Sequence, residues 1–321
     1  MKKISLLVLS LVLILFLAGC NSSEFKVDGK FTAYEVSVHS NAPQVTYVTV
    51  TITDGEIVDY EIDVRQGTVT ETVTETATSY SYTWNESTKT ELGDDYGMTS
   101  YGTKYELVDG AWVAVEGETS EYEWYEQANL LEDYLLENGV DSVETIDERI
   151  SNVAGVTIKD GGYLDLAAEA VELAKAGTFQ AIVCEDDDLY IASMNVDESG
   201  DISSLMLDVL KGNPDGDTFA WSEETKQELG DDYGMKGTGT AYEFVDGAWV
   251  ASDEKTSLEW YEQANLITDY VMANGWNEDL AAIDERGGTV DGTTLIDDLA
   301  GATIHTQTYY DVLAELFDMV A

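Results

Sequence analysis

One stretch occurs twice in this chain, and that constrains what the chain can fold into. Trp84 to Met98 reads W-N-E-S-T-K-T-E-L-G-D-D-Y-G-M, and Trp221 to Met235 reads W-S-E-E-T-K-Q-E-L-G-D-D-Y-G-M, 137 residues later, with twelve of fifteen positions identical. The copy continues: V-D-G-A-W-V at Val108 returns at Val245, W-Y-E-Q-A-N-L at Trp124 returns at Trp260, and I-D-E-R at Ile146 returns at Ile283. Each copy ends on a small-residue turn, Ala154-Gly155-Val156-Thr157 and Ala300-Gly301-Ala302-Thr303. Solenoid repeats run roughly 20 to 50 residues, so a period this long implies two tandem domains, 28–175 and 176–321. With 321 residues in all, each has room for its own core.

Charge narrows the partners. The chain carries 64 acidic and 15 basic residues, a formal charge of -49. Such a field repels nucleic acid and anionic headgroups, so nucleic acid is not an expected partner. Hydrophobic content of 44% argues against disorder despite the charge.

Residues 1–19 read as a targeting segment. Lys2 and Lys3 precede an apolar run, Leu6 to Leu17, that is short for a membrane span. It ends on Leu17-Ala18-Gly19-Cys20, which resembles the lipobox of bacterial lipoproteins. The resemblance implies a Cys20 that is lipidated on sulfur, anchors the protein at the extracellular face of the membrane, and starts a tether over 20–27. Cys184 is then the one other cysteine, too few for an internal disulfide, and reads as a packed strand residue.

Val45 to Ile52 alternates with period two, Asp54-Gly55 supplies a turn, and Ile57 to Val64 resumes, which predicts a hairpin. Leu189 to Val196 and Ile202 to Val209 repeat the pattern; Lys211 to Asp217 reads as a plain loop. Thr68 to Thr83 has strand propensity but no apolar face and is expected at an edge. Trp124, Ala128, Leu131 and Leu135 predict a helix that Asn138-Gly139 stops, copied over Leu258 to Ala273. Final helices are expected at Leu164 to Lys175 and Tyr309 to Val320. The expected class is α+β: two repeats, each an antiparallel sheet with packed helices.

The turns at Thr157 and Thr303 resemble the end of the FMN-binding domain found in membrane-bound flavoproteins and exported lipoproteins, D-x-x-S-G-A-[ST]. Asp297, Gly301, Ala302 and Thr303 match it, with Ala300 departing, while the first copy keeps Gly155 and Thr157 and has Ser151 and Val156 elsewhere. Asp28-Gly29-Lys30-Phe31-Thr32-Ala33 and Val50 to Val58 resemble the family's earlier segments. The resemblance implies FMN joined through its phosphate to threonine by a flavin transferase. It also implies electron transfer between a membrane donor and an extracellular acceptor. The residue types suit that chemistry if the threonine precedes a helix, whose N-terminal N–H groups favour a phosphate, and if the glycine admits the phosphate closely. The fuller motif ranks Thr303 above Thr157 for modification. Lys159 and His305 are the local basic residues.

Other readings stay open. Both threonines would serve equally as helix caps, and the copied tryptophans as core. A duplicated surface-binding lipoprotein without cofactor is the alternative function. Asp186-Asp187-Asp188 and Asp215-Gly216-Asp217 lack calcium-loop spacing and read as solvated loops, so no metal site is expected. Glu91, Asp94 and Asp95, copied as Glu228, Asp231 and Asp232, are the carboxylates a glycosidase reading would use. His39 and His305 are too scattered for a zinc site.

Overall fold

The structure, a computed structural model, describes residues 24–246, 248–276, 289–290, 294–295, 299, 301–304 and 307–320. The targeting segment, Cys20, Asp297 and His305 lie outside them. Its strands are β1 (Gly29–His39), β2 (Ala42–Thr53), β3 (Glu56–Val73), β4 (Thr78–Trp84), β5 (Thr103–Val108), β6 (Ala111–Thr119), β7 (Thr145–Ile146), β8 (Arg149–Ile150) and β9 (Thr178–Glu185). They continue as β10 (Asp188–Val196), β11 (Ile202–Leu210), β12 (Gly212–Asp215), β13 (Thr218–Trp221), β14 (Thr240–Val245), β15 (Ala248–Lys255), β16 (Thr289–Val290) and β17 (Thr294–Leu295). The helices are α1 (Lys89–Leu92), α2 (Met98–Tyr101), α3 (Trp124–Asn138), α4 (Tyr163–Ala176), α5 (Lys226–Leu229), α6 (Trp260–Asn274) and α7 (Gln307–Asp318). Among the described residues these strands pair antiparallel, and the class is α+β. Among the described residues no helix is long and apolar enough to cross a membrane.

Two sheets organise the chain. The first runs in order β1-β2-β3-β4, turned at Asp54-Gly55, where both residues have positive φ. The second runs β11-β10-β9. Helix α4 lies on β1 and β2, and α3 on β3; α7 lies on β9 and β10, and α6 on β11. The apolar faces join into one core, in which Phe31 and Phe179 are fully buried with ring centroids 4.3 Å apart. Strand β1 also takes the end of the chain, through Lys30 N–H donating to Met319 O at 2.9 Å. The Thr68–Thr83 stretch is the distal half of β3 paired with β4, mostly exposed, at the edge of the first sheet.

Two expectations need correcting. Lys211 to Asp217 is not a plain loop, because β12 pairs with β13 from Gly212 to Trp221. Asp188 is not solvated either: it is buried at the start of β10 and accepts Lys211 Nζ at 2.6 Å. The alternation of charged residues hid a long-range pair.

The copied block forms α1 and α5, each closed by a capping box: Thr88 with Glu91, and Thr225 with Glu228. It is latched to the sheets by a buried carboxylate. Asp63 of β3 accepts Thr88 Oγ1 at 2.5 Å and Thr90 N–H at 3.1 Å; Asp208 of β11 accepts Gln227 N–H at 3.0 Å. Its far end is held by Glu123, which accepts Met98 and Thr99 N–H, and by Glu259, which accepts Met235 and Lys236 N–H. Asp94 and Asp231 accept Tyr125 and Tyr261 hydroxyls at 3.2 Å each. Glu91, Asp94, Glu228 and Asp231 thus have structural partners.

One carboxyl is placed at odds with its surroundings. Glu132 of α3 accepts Ile62 N–H at 2.6 Å. Burial pushes its carboxyl up to about 7, and Asp59, Glu61 and Asp63 add to the rise. A raised pKa favours the protonated form in the fold. The contribution is therefore intact below the ordinary carboxyl range and is lost as pH rises through about 7. The second copy has Thr268 here. Glu132→Gln keeps the accepting oxygen and removes the charge. Its stability relative to wild type should improve by about 1–3 kcal/mol between about pH 5 and pH 8, read as the difference in denaturant midpoints. A constant difference across that range counts against a buried, raised Glu132.

Candidate functional site

The two threonines are held in the same way. Gln127 of α3 and Gln263 of α6 are fully buried, each in its W-Y-E-Q-A-N-L copy. Gln127 Oε1 accepts Thr157 N–H at 2.8 Å and Thr157 Oγ1–H at 3.2 Å; Gln263 Oε1 accepts Thr303 N–H at 2.8 Å and Oγ1–H at 3.2 Å. Gln127 Nε2 donates to Tyr122 O at 3.1 Å and Ser120 Oγ at 3.3 Å, so the carboxamide is satisfied at both ends. A buried amide so paired fixes the turn against the helix.

The turn glycines lie close against the long helices. Gly155 has φ +85°, and a Cβ there would sit 2.9 Å from Leu130 Cδ1; at Gly301 it would sit 2.9 Å from Leu266 Cδ1. These glycines let the turn lie against α3 and α6, with the close approach made to a leucine. Val156 and Ala302 both point into the core, 1% and 0% exposed, so the β-branch of Val156 does not crowd the hydroxyl.

Thr157 also does not directly precede a helix. Helix α4 starts at Tyr163, after Gly162, and its first N–H groups are taken by Asp160: Leu164 N–H donates to its Oδ1 at 3.0 Å, and Tyr163 N–H to its carbonyl at 3.1 Å. Gly162 is the N-cap, and Asp160 takes two of the N–H groups that a phosphate at this terminus would need.

What lies beside Thr157 is a cavity of about 460 Å³. Its walls bring together Lys89, Arg149, Lys159 and His39 with the rings of Tyr96, Tyr105, Trp124 and Tyr163. Arg149 comes from the β7–β8 hairpin, where Asp147 and Glu148 have positive φ, and its Nη1 donates to Thr157 O at 2.6 Å. Its guanidinium lies 3.6 Å from the Tyr105 ring centroid. Lys89 Nζ sits 5.2 Å from both the Tyr96 and Trp124 rings. Burial pulls its amine down to about 8. Lys159 is exposed and paired with Glu148 at 2.7 Å. Among the described residues, neither Lys89 nor Arg149 has an ion pair within 4.0 Å.

Thr157 is half-buried and Thr303 is 8% exposed. Around Thr303 the structure describes Trp260 and Tyr309, whose Nε1–H donates to the Tyr309 hydroxyl at 2.9 Å. These correspond to Trp124 and Tyr163, stacked edge-on at 6.1 Å. Asp297, His305 and Arg286, the copy of Arg149, fall outside the described residues. Trp124 and Trp260 are core residues, whereas Trp84 and Trp221 pair across the two halves at 6.1 Å.

A larger cavity of about 520 Å³ lies away from both threonines, between the first sheet and β9, where Cys184 lines it with Arg65 and Thr32. Burial pushes the Cys184 thiol up to about 12, so it is inert as a nucleophile. Among the described residues, no group of three or more His, Cys, Asp or Glu side chains is arranged to hold a metal.

Sequence reasoning centred on the threonines missed Lys89, Gln127 and Arg149. The signal was present: all three stand in copied segments, returning as Lys226, Gln263 and Arg286. Replacing Gln127 by Leu should strand the Thr157 N–H and hydroxyl and cost about 1–3 kcal/mol in chemical denaturation. Wild-type stability in that variant removes Gln127 from the frame of the turn.

No family model matches this chain, and none of the curated proteins matches it. Among solved structures, a solution NMR structure of a protein from Clostridium thermocellum is similar over 45% of this chain and 89% of its own length, at 20% identity and a TM-score of 0.26.

Proposed function

We propose that this chain is a lipid-anchored extracellular flavoprotein that carries electrons through FMN attached to Thr157 and Thr303. One observation carries the reading. In a chain with 64 acidic and 15 basic residues, two cations without acid partners open into one aromatic-walled cavity beside a hydroxyl. Lys89 and Arg149 left unpaired suit an anionic ligand, and the rings suit a flat one.

The residues fit FMN. A cavity of about 460 Å³ is within the usual range for a cofactor of this size. Thr157 Oγ1 is the point of attachment, with its proton directed at Gln127 Oε1. Lys89, Arg149 and Lys159 would hold the phosphate or other anionic edge, and Tyr96, Tyr105 and Trp124 would exclude water from the ring. When bound, the flavin supplies the redox chemistry; the chain holds and tunes it. Anchoring through Cys20 and covalent attachment both oppose loss by dilution outside a cell.

The cofactor-free alternative, a duplicated surface-binding lipoprotein, draws on the hairpins β5–β6 and β14–β15. There Val108, Val113, Val245 and Val250 are exposed. The mature chain, made with a flavin transferase, separates the two readings. It should remain fluorescent after denaturing electrophoresis, with Thr303→Ala losing at least half of the flavin, Thr157→Ala half or less, and the double variant all of it. A dark band at the unmodified mass leaves the binding-module reading standing.

A further inference from the structure

The threonine chemistry does not by itself account for the copied fifteen-residue block, which lies outside both threonine turns. In each half the block places one lysine in an aromatic box. Lys89 Nζ is 5.2 Å from the Tyr96 and Trp124 rings; Lys226 Nζ is 5.4 Å from Tyr233 and 5.1 Å from Trp260. The backbone beneath each lysine is fixed from both sides. Thr88 and Thr90 bind Asp63 on either side of Lys89, and the Thr225 capping box with the Gln227–Asp208 bond flanks Lys226. A lysine on a surface helix would swing its amine into water. These two are held, Lys226 buried and Lys89 partly so, with no carboxylate within 4.0 Å among the described residues.

A lysine kept only for packing would be closed over by its rings. Lys89 instead reaches the wall of the Thr157 cavity. Asp63 from β3, Tyr96 beyond α1 and Tyr163 from α4 stand around it, and Arg149, Lys159 and His39 share the cavity wall. With its amine near 8 it is charged at neutral pH.

We propose that Lys89 is the specificity-determining cation of the first cavity, selecting phosphate-bearing aromatic ligands over their uncharged counterparts; Lys226, buried under its rings, is its counterpart by sequence in the second half. This rests on the cavity being a flavin site and adds which group chooses the ligand's charge state. The copied block is then a mount for that amine, which explains why its capping threonine, its lysine and its tyrosine are all retained.

The test uses the full mature chain made without a flavin transferase, titrated with FMN and with riboflavin by fluorescence quenching. Wild type should prefer FMN. The double variant Lys89→Met/Lys226→Met keeps the apolar stems and should lose about tenfold or more of that preference, with riboflavin affinity unchanged. Lys89→Arg/Lys226→Arg should restore it. Melting temperatures separate loss of charge from loss of fold. Should the methionine variant unfold, the wild type still decides: its FMN preference should shrink as salt rises from about 0.05 to 0.5 M, while riboflavin binding holds. A folded methionine variant with intact preference, or a salt-insensitive one in wild type, overturns the assignment and leaves the flavin reading in place. Binding of neither flavin to wild type removes both.

Discussion

A buried carboxamide on each long helix is the interaction on which the rest of the site depends. Gln127 and Gln263 have no solvent contact, so their polar atoms must be satisfied within the protein. Each accepts the threonine N–H and hydroxyl together, and Gln127 donates to the segment just before α3. That set of bonds fixes where the turn crosses the helix, and the glycine contact with Leu130 or Leu266 follows from it. The residues on either side of the threonine then have fixed fates: Val156 into the core, Asp160 onto the first turn of α4. The hydroxyl is left at the boundary between core and cavity.

Charge is the second constraint. With acids outnumbering bases this heavily, solvated side chains give the surface a negative field, in which a cation readily finds a carboxylate. Lys104 shows one outcome, within 3.2 Å of Glu106, Glu118 and Glu121. Lys89 and Arg149 escape it because rings, not carboxylates, surround them. An aromatic face favours the cation weakly and leaves it available to an anion, where a carboxylate would neutralise it.

Much of the fold could be read locally. The Asp54-Gly55 turn, the alternation in β2, the stripe through Leu131 and Leu135, and the glycine after Asn138 each specify an element from a few neighbouring residues. The Lys211 to Asp217 segment misled because its strands are four residues each and carry Pro214 and Asp215, which propensity assigns to turns; pairing is imposed by Phe219 and Trp221 packing on the first half. The candidate site was legible only in part. Thr157 and Gly155 could be singled out by motif but their contacts could not, since a glycine against a leucine and a glycine against a phosphate look alike in sequence. Lys89, Gln127 and Arg149 lie 68, 30 and 8 residues from Thr157, and no local pattern joins them. What joins them is that each sits in a segment the chain carries twice.

That duplication also shows where the halves were free to diverge. Lysine, glutamine, arginine and threonine are kept in both copies, whereas Lys104 is replaced by Ala241, Glu132 by Thr268 and Lys159 by His305. In the first half the retained residues frame the turn and give the cavity two of its cations, whereas of the replaced ones Lys104 and Lys159 are paired with glutamates and Glu132 accepts Ile62 N–H. The first half carries two more lysines near its threonine, at 104 and 159, but both are already paired with glutamates. Their net effect on an incoming anion is therefore small. Lys89 and Arg149 remain as the unpaired charge, and Lys226 and Arg286 are their counterparts by sequence. The two halves thus carry the same two cations at corresponding positions of their copied segments.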